Sequence, residues 1–332
     1  MNNKVIIDLI ICTYNNCESL NNVLESISGQ QVHSDIHWRV LVVNNNCTDQ
    51  TNELVEKFIG SKDFPISMVL EPSQGLTPAR LCGVNNTHGD WLAFIDDDCI
   101  LTPNWLEETA KFAREHPDCG AIGGKVILDW EVSPPDFLLK FGWLFAEQNY
   151  GEVAKRVQCL VGAGIVISRK ALEEVGWVEK QILQDRVGKK LISGGDVEIG
   201  LRLSAKYDLW YNPKAQLRHR IPEYRMSTSY LKRITFGLGV CHLFEESMLW
   251  NKSYRLLVFA SLKKGIDKSI TMLIRTLRSI PNKEPLMGIL LKWFFLSGWW
   301  VGNWKLWRMN STKRQELIGC AKSTDRLISE VS

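Results

Sequence analysis

The chain has 332 residues, 45% of them hydrophobic and 23% charged, and its formal net charge is only +3. That balance belongs to one large domain or two ordinary ones with a proper core, and it excludes a disordered, collagenous or small disulfide-stapled protein. The total hides an asymmetry: between Asn251 and Arg314, thirteen Lys or Arg face only Asp267 and Glu284, so +11 there leaves −8 for the rest.

The first half alternates in the manner of an α/β protein. Val5–Cys12 is a buried apolar run and predicts a strand; Leu20, Val23, Leu24 and Ile27 follow at helical spacing. Trp38–Val43 predicts a second strand, Leu54, Val55 and Phe58 a helix face, and Ile66–Leu70 a third strand. A helix is expected from Pro78 to about Asn86, then a fourth strand over Trp91–Ile95. Strands separated by helices of this length pair in parallel, and ligands bind beyond their carboxyl ends. That rule points to Thr13–Asn16, Asn44–Thr48 and Asp96–Asp98.

The middle is less regular. Ser133–Pro135 marks a loop, Cys159–Ser168 a glycine-rich turn with a strand, Arg169–Val175 a helix, and Gly195–Lys206 another helix. Gln184–Ser193 is polar, with Gly188 and two lysines, and is expected to be a loop able to close over a ligand. A strand is expected before the basic run Arg218-His219-Arg220.

Past residue 245 the texture changes. Ile266, Ile270, Leu273, Ile274, Leu277 and Ile280 hold helical spacing, with Lys264, Lys268, Arg275 and Arg278 opposite. Leu286–Val301 is apolar at twelve of sixteen positions, too short for a spanning helix of about 20 residues, and tryptophans crowd its end. Two readings stay open for this end: attachment to an anionic membrane surface, or packing and dimerisation. A catalytic domain over 1–245 and a helical extension over 246–332 are expected. The nine cysteines form no Cys-x-x-Cys pair and read as free thiols of a reducing compartment. Lys4 precedes only a short apolar run, so no secretory leader is expected.

Asp96-Asp97-Asp98 closes the fourth strand. Three adjacent carboxylates repel unless a cation or donors stand among them, and oxygen ligands suit Mg²⁺ or Mn²⁺. The plain alternative is an acidic turn ahead of the next helix.

Taken in order, these segments resemble the family-two glycosyltransferases of GT-A fold. The likeness lies in Ile11-Cys12-Thr13-Tyr14-Asn15, in Val43 to Thr51, in Gly75 to Gly83 with Ala79-Arg80, and in Asp96-Asp97-Asp98. It continues in Gly162-Ala163-Gly164 and in Gly195-Asp196-Val197-Glu198-Ile199, and it covers about residues 5–225. The resemblance implies a mostly parallel, Rossmann-like sheet flanked by helices and an inverting transfer of one sugar from a nucleotide-sugar, a UDP-sugar first. The acceptor it implies is a lipid-linked or surface-polysaccharide glycan, as in bacterial exopolysaccharide assembly.

The same resemblance implies the residue roles. Asp196 is the expected base, with Glu198 the second choice. Thr13, Tyr14, Asn15, Asn44, Asn45, Arg80, Asp96, Asp97 and Arg225 are expected at the nucleotide-sugar, and Gly162, Ala163 and Gly164 on the acceptor side. Asp98, Asp96 and His219 are expected to hold Mn²⁺ or Mg²⁺. Departures are Asn44 where an Asp is common, Cys47 for the usual Ser, Gly195 for an acid, and no Gln-x-x-Arg-Trp, which argues against a polymerising synthase.

The expected partners are thus a nucleotide-sugar donor, a glycan or lipid-linked glycan acceptor and an anionic membrane surface, not nucleic acid; the expected location is cytoplasmic, peripheral at the inner face of the cell membrane. The rival readings are a non-catalytic nucleotide-sugar or polysaccharide-binding scaffold and a sugar-1-phosphate nucleotidyltransferase. The second expects a Gly-x-Gly-(Thr/Ser)-Arg-Leu loop where this chain has Cys12-Thr13-Tyr14-Asn15-Asn16. A dinucleotide-binding Gly-x-Gly-x-x-Gly is also missing there.

Overall fold

The structure, a computed structural model, describes residues 4–33, 35–61, 63–183, 194–279 and 286–321. The expected closing loop Gln184–Ser193 lies outside these residues, as does Ile280. The chain forms two compact units, the first from Met1–Asp129, Phe145–Gln181 and Lys206–Ile221, the second from Trp130–Leu144, Ile182–Ala205 and Pro222–Ser332.

The first unit opens with β1 (Val5–Thr13), α1 (Cys17–Ser28), β2 (Ile36–Asn44), α2 (Thr51–Ser61), β3 (Ile66–Leu70), α3 (Leu76–Asn85) and β4 (Trp91–Asp96). It continues with β5 (Cys99–Leu101), α4 (Trp105–Glu115), β6 (Ala121–Trp130), β7 (Lys155–Val157), β8 (Ile165–Ser168), α5 (Arg169–Glu174) and β9 (Leu209–Ile221). Among the described residues these strands make one sheet in the order β3-β2-β1-β4-β8-β6-β9-β5, with β7 against β9. The β3-β2-β1-β4 part is parallel throughout, as expected. β8 turns the sheet antiparallel against both β4 and β6, and β5 and β7 run antiparallel to β9.

The elements form where their patterns require. β1 is buried along most of its length because helices cover its sheet on both faces. α1 buries Leu20, Val23, Leu24 and Ile27, one face of a 3.6-residue period. Asp8 stands fully buried in mid-strand, and its carboxylate accepts from Arg39 Nε at 2.7 Å and from the backbone N–H groups of His88 and Gly89. Burial works against its charge, but Arg39 and those two N–H groups prevail and hold the carboxyl below the usual range. The pair fastens the turn before β4 to β1, so the two strands that deliver the site share one anchor.

The second unit holds α6 (Gly195–Ser204), α7 (Thr228–Met248), α8 (Tyr254–Ser279), α9 (Leu286–Arg308) and α10 (Ser311–Leu317). The expected boundary at 245/246 falls inside α7. α7 and α9 meet backbone to backbone: a methyl group on Gly239 would lie 2.1 Å from the Phe295 carbonyl oxygen, and one on Gly298 would lie 2.1 Å from that of Phe236. Only glycine allows so close an approach. The tryptophan-rich run therefore packs: Ile289, Leu291, Leu296, Trp299 and Leu306 of α9 are buried.

Candidate functional site

Register brings the three expected places together. Thr13 pairs with Asn44 across β1 and β2, and Cys12 pairs with Asp96 across β1 and β4. The turns beyond these ends are stitched by side chains. Asn15 and Asn46 adopt left-handed φ of 50° and 64°, which asparagine tolerates better than most residues. Asn15 Oδ1 accepts from Thr48 N–H at 2.7 Å, and Cys17 N–H donates to Asp49 Oδ2 at 3.0 Å. Cys47 Sγ accepts from Asn15 N–H at 3.3 Å and donates to the Thr13 carbonyl at 3.5 Å, so the thiol bridges donor and acceptor as a hydroxyl would.

The two asparagines that follow β2 face opposite tasks. Asn44 Oδ1 accepts from Cys47 N–H at 2.7 Å, and its amide donates to Asn52 Oδ1 at 2.6 Å. Asn45 Nδ2 donates to the carbonyls of Glu71 and Ser73 at 2.9 and 2.8 Å, while its Oδ1 accepts from Gly75 N–H at 2.8 Å. An aspartate at 45 would aim a carboxylate at two carbonyl oxygens, which is why an amide stands there. Tyr14 is left 48% exposed beside these turns, a flat apolar face at the ligand edge.

The acidic triad lies at the end of β4. Asp98 is buried, and Asp96 and Asp97 are half-buried. Asn16 Nδ2 donates to Asp97 Oδ1 at 2.9 Å. Burial, with the Asp98 charge beside it, pushes the Asp97 carboxyl up to about 7, against the pull of Thr13 and Asn16. β5 follows directly, and its register with β9 sets Cys99 opposite His219. His219 Nε2 then stands 3.2 Å from Asp98 Oδ1, both groups buried.

The other ring nitrogen decides what that contact means. His219 Nδ1 lies 2.7 Å from the Phe145 carbonyl oxygen, which can only accept, so Nδ1 carries the proton. Nε2 then either carries a second proton, which makes the ring an imidazolium paired with the carboxylate, or turns its lone pair toward the carboxylate oxygen, and two acceptors at that distance need a metal ion between them. Asp98, Cys99 and His219 place a carboxylate oxygen, a thiol sulfur and a ring nitrogen within 4.8 Å of one another. The carboxylates of the triad suit Mn²⁺ or Mg²⁺, whereas imidazole and thiolate suit softer ions such as Zn²⁺; the backbone bond at Nδ1 is the usual way to fix a ligating imidazole.

The remaining residues are placed as follows. Arg80 is buried on α3, its guanidinium carbon 5.7 Å from the centre of the Phe94 ring. Burial pushes the Cys12 thiol up to about 12, while the Arg80 charge opposes and the Asp96 and Asp97 charges add to it. Gly162-Ala163-Gly164 leads into β8, and the pairing of Phe94 with Ile165 brings this turn beside the end of β4. Gly164 has φ 72°, and a methyl group there would meet Leu217 Cδ2 at 2.2 Å, so the turn requires glycine.

Asp196, Glu198 and Arg225 belong to the second unit. The N-cap of α6 is Gly194, so Asp196 stands inside the first turn, half-buried, its Oδ1 3.0 Å from Val197 N–H. Glu198 is 0% exposed. Its carboxylate accepts from Ile182 N–H at 3.0 Å, from Leu183 N–H at 2.6 Å and from Arg202 Nη2 at 2.6 Å. Burial raises its pKa, opposed by those N–H groups and Arg202. Arg225 lies in a single 3-10 turn, Glu223–Met226, and is half-buried.

Asn16 lies at the end of the expected segment Thr13–Asn16 but carried no expected role, and two contributors were not expected from sequence: Cys99 and the Phe145 carbonyl. Cys99 follows the triad directly, which was the available signal; the Phe145 contact, 74 residues from His219, left none.

Residues 8–176 match the family model described as Glycosyl transferase family 2. The succinoglycan biosynthesis protein ExoM of Rhizobium meliloti is 27% identical over 296 residues, 87% of this chain and 91% of that protein. The glucosyl-dolichyl phosphate glucuronosyltransferase of Haloferax volcanii is 27% identical over 240 residues, 70% of this chain and 75% of that protein. Among solved structures, the mannosyltransferase PcManGT from Pyrobaculum calidifontis, in complex with GDP-Man and Mn²⁺, aligns with a TM-score of 0.59 at 16% identity, covering 90% of this chain and 87% of that one. S. aureus TarS 1-349 with UDP-GlcNAc aligns at 0.53 and 17% identity, over 76% and 70%. These likenesses establish the GT-A fold.

Proposed function

The chain belongs to glycosyl transferase family 2, and on that premise we propose that it transfers one sugar, with inversion, from a nucleotide-sugar to a hydroxyl of a lipid-linked or surface-polysaccharide acceptor. The observation that carries this reading is the Asp98–His219 contact of 3.2 Å, just beyond the carboxyl end of the parallel strand β4 where β5 pairs antiparallel with β9, with the Nδ1 proton already committed. Asp98 and His219 would hold the divalent ion, with Asp96 beside them, and that ion would supply charge to the departing diphosphate. Tyr14 stacks on the base. Thr13, Asn15, Asn44 and Asn45 shape the floor beneath it. Asn44, where an Asp is common, replaces an ionic contact to the base with an amide contact.

Asp196 takes the proton from the acceptor hydroxyl as its oxygen attacks the anomeric carbon and the nucleoside diphosphate leaves. Its half-exposed place in the first turn of α6 supports this role. Glu198, with its oxygens engaged by backbone and Arg202, positions the helix instead. The names of ExoM and of the dolichyl-phosphate enzyme support a polysaccharide or lipid-linked acceptor; UDP is the first nucleotide to try. An acceptor of that kind also seats the enzyme peripherally on the anionic inner face of a membrane. No helix among the described residues is long and apolar enough to cross one.

The test is a thermal-shift screen of UDP-, GDP- and dTDP-sugars with and without Mn²⁺, on the natural chain and on Asp196→Asn. One donor should raise Tm in both proteins by mass action, while turnover in the variant falls by about 10²–10⁴. Full turnover in Asp196→Asn would remove the base assignment, and no shift with any donor would favour a binding scaffold for some other ligand.

A further inference from the structure

In the second unit, α8 turns more large apolar residues outward than inward. Leu257 and Met272 are buried, and the rest of the side turned to the body is small or polar: Ser261 and Gly265 are buried, and Ser269 and Thr276 accept from the indole N–H groups of Trp300 and Trp293 at 3.2 and 3.0 Å. Most of the large apolar residues point the other way. Phe259, Leu262, Ile266, Ile270, Leu273 and Leu277 recur at three- and four-residue steps, and all are exposed, Phe259 by 69%. A helix that serves only its own core buries such a stripe. A contiguous apolar face of this length on a water-soluble surface marks a contact with something else.

Charge says what that something is. α8 carries Arg255, Lys263, Lys264, Lys268, Arg275 and Arg278 against Asp267 alone. Lys264 is held by Glu246, and Lys268 stands over the Trp299 ring. Lys263 and Arg278 are exposed toward one flank of the apolar stripe, and Arg275, also exposed, lies on the side away from it. A second copy docked on this face would bring a second excess of positive charge against the first. An anionic lipid surface meets both features at once, taking the stripe into its acyl boundary and the flank at its phosphates.

We propose that α8 is a membrane-docking helix, which lies along an anionic phospholipid surface with Phe259, Ile266, Ile270, Leu273 and Leu277 in the acyl boundary and Lys263 and Arg278 at the headgroup phosphates. The inference rests on the membrane placement proposed above and narrows it to one face. It also moves the contact away from the tryptophan-rich run of α9, which packs on α7.

The test is flotation of the full chain with vesicles of phosphatidylglycerol in phosphatidylcholine, and with phosphatidylcholine alone. I266S/I270S alters two exposed side chains, K263E/R275E/R278E reverses three exposed charges of α8, and W304S/W307S alters the exposed end of α9. Melting curves and solution mass are recorded for each. The natural chain and W304S/W307S should float with the anionic vesicles only, less so in high salt. I266S/I270S should lose roughly tenfold or more of that binding with unchanged Tm, and K263E/R275E/R278E should lose it too. Retained binding in both α8 variants would overturn the assignment of this face while leaving the membrane placement standing. No binding by the natural chain would end both. A natural dimer that I266S/I270S converts to a monomer, with no vesicle binding, would make the stripe a self-interface and overturn the proposal.

Discussion

Glu198→Gln separates two roles that one carboxylate in a motif can have. The side chain is fully buried, and it receives Ile182 N–H, Leu183 N–H and the Arg202 guanidinium, itself only 8% exposed, at 2.6–3.0 Å. An amide of the same shape keeps one acceptor but turns an NH₂ group toward a donor, and it leaves Arg202 without its countercharge. Breaking a buried pair from one side costs about 3–5 kcal/mol. Burial already raises the Glu198 pKa, which trims the strength of the pair and favours the lower end. A loss of about 3 kcal/mol lowers Tm by roughly 6–12 °C. Scanning fluorimetry gives Tm, and turnover is measured across pH. Some turnover should be lost because α6 also carries Asp196, but the pH profile of the remainder should keep its shape. A Tm within about 1 °C of the natural chain, together with a profile that has lost its basic-side plateau and intact donor binding, would refute the reasoning and make Glu198 the base.

Two further outcomes follow from the strand-end cluster. His219→Gln should weaken Mn²⁺ binding by roughly tenfold or more, read by titration calorimetry with UDP present, while the melting curve stays cooperative; unchanged affinity would remove His219 from the metal. In the metal-free chain, Asp97 titrates at about 7 when folded against about 3.9 when unfolded, so the folded form holds this proton more tightly. The stability this contributes is complete below about pH 4 and is lost as pH rises through about 7. Tm of chelator-treated protein should therefore fall between pH 5 and 8 more steeply than that of Asp97→Asn, and equal slopes would sink the assignment.

The parallel part of the sheet was readable because each strand is a short apolar run set between helical faces. Ile66–Leu70 matches at both ends, and the others differ by one or two residues. The antiparallel part was not readable in the same way. β5 has three residues, and its partner in β9 is more than a hundred positions away, so no local period announces it. β9 was expected as a strand before Arg218, and it runs on to Ile221 through that basic run, but nothing local in it names β5 or β7 as a partner. The candidate site divides along the same line. Thr13, Asn44 and Asp96 follow from the strand-end rule, whereas the Asp98–His219 contact depends on β5 pairing with β9 and was foreseen only through the family likeness. α8 shows a different limit: its apolar period was plain, but period alone does not tell which side of a helix meets the body, and both readings of this end stay open on the sequence.

The glycine contact between α7 and α9 bears on how far this chain can be cut back. A seam of backbone on backbone has no rotamers to exchange, so nothing small can take the place of α9 once it is gone. A chain ending before Leu286 would lay open the lane on α7 around Gly239, bordered by Phe236, Val240 and Leu243. The last helices are thus the second wall of a two-walled structure, and shortening the protein in search of a minimal catalytic core would leave the first wall facing water.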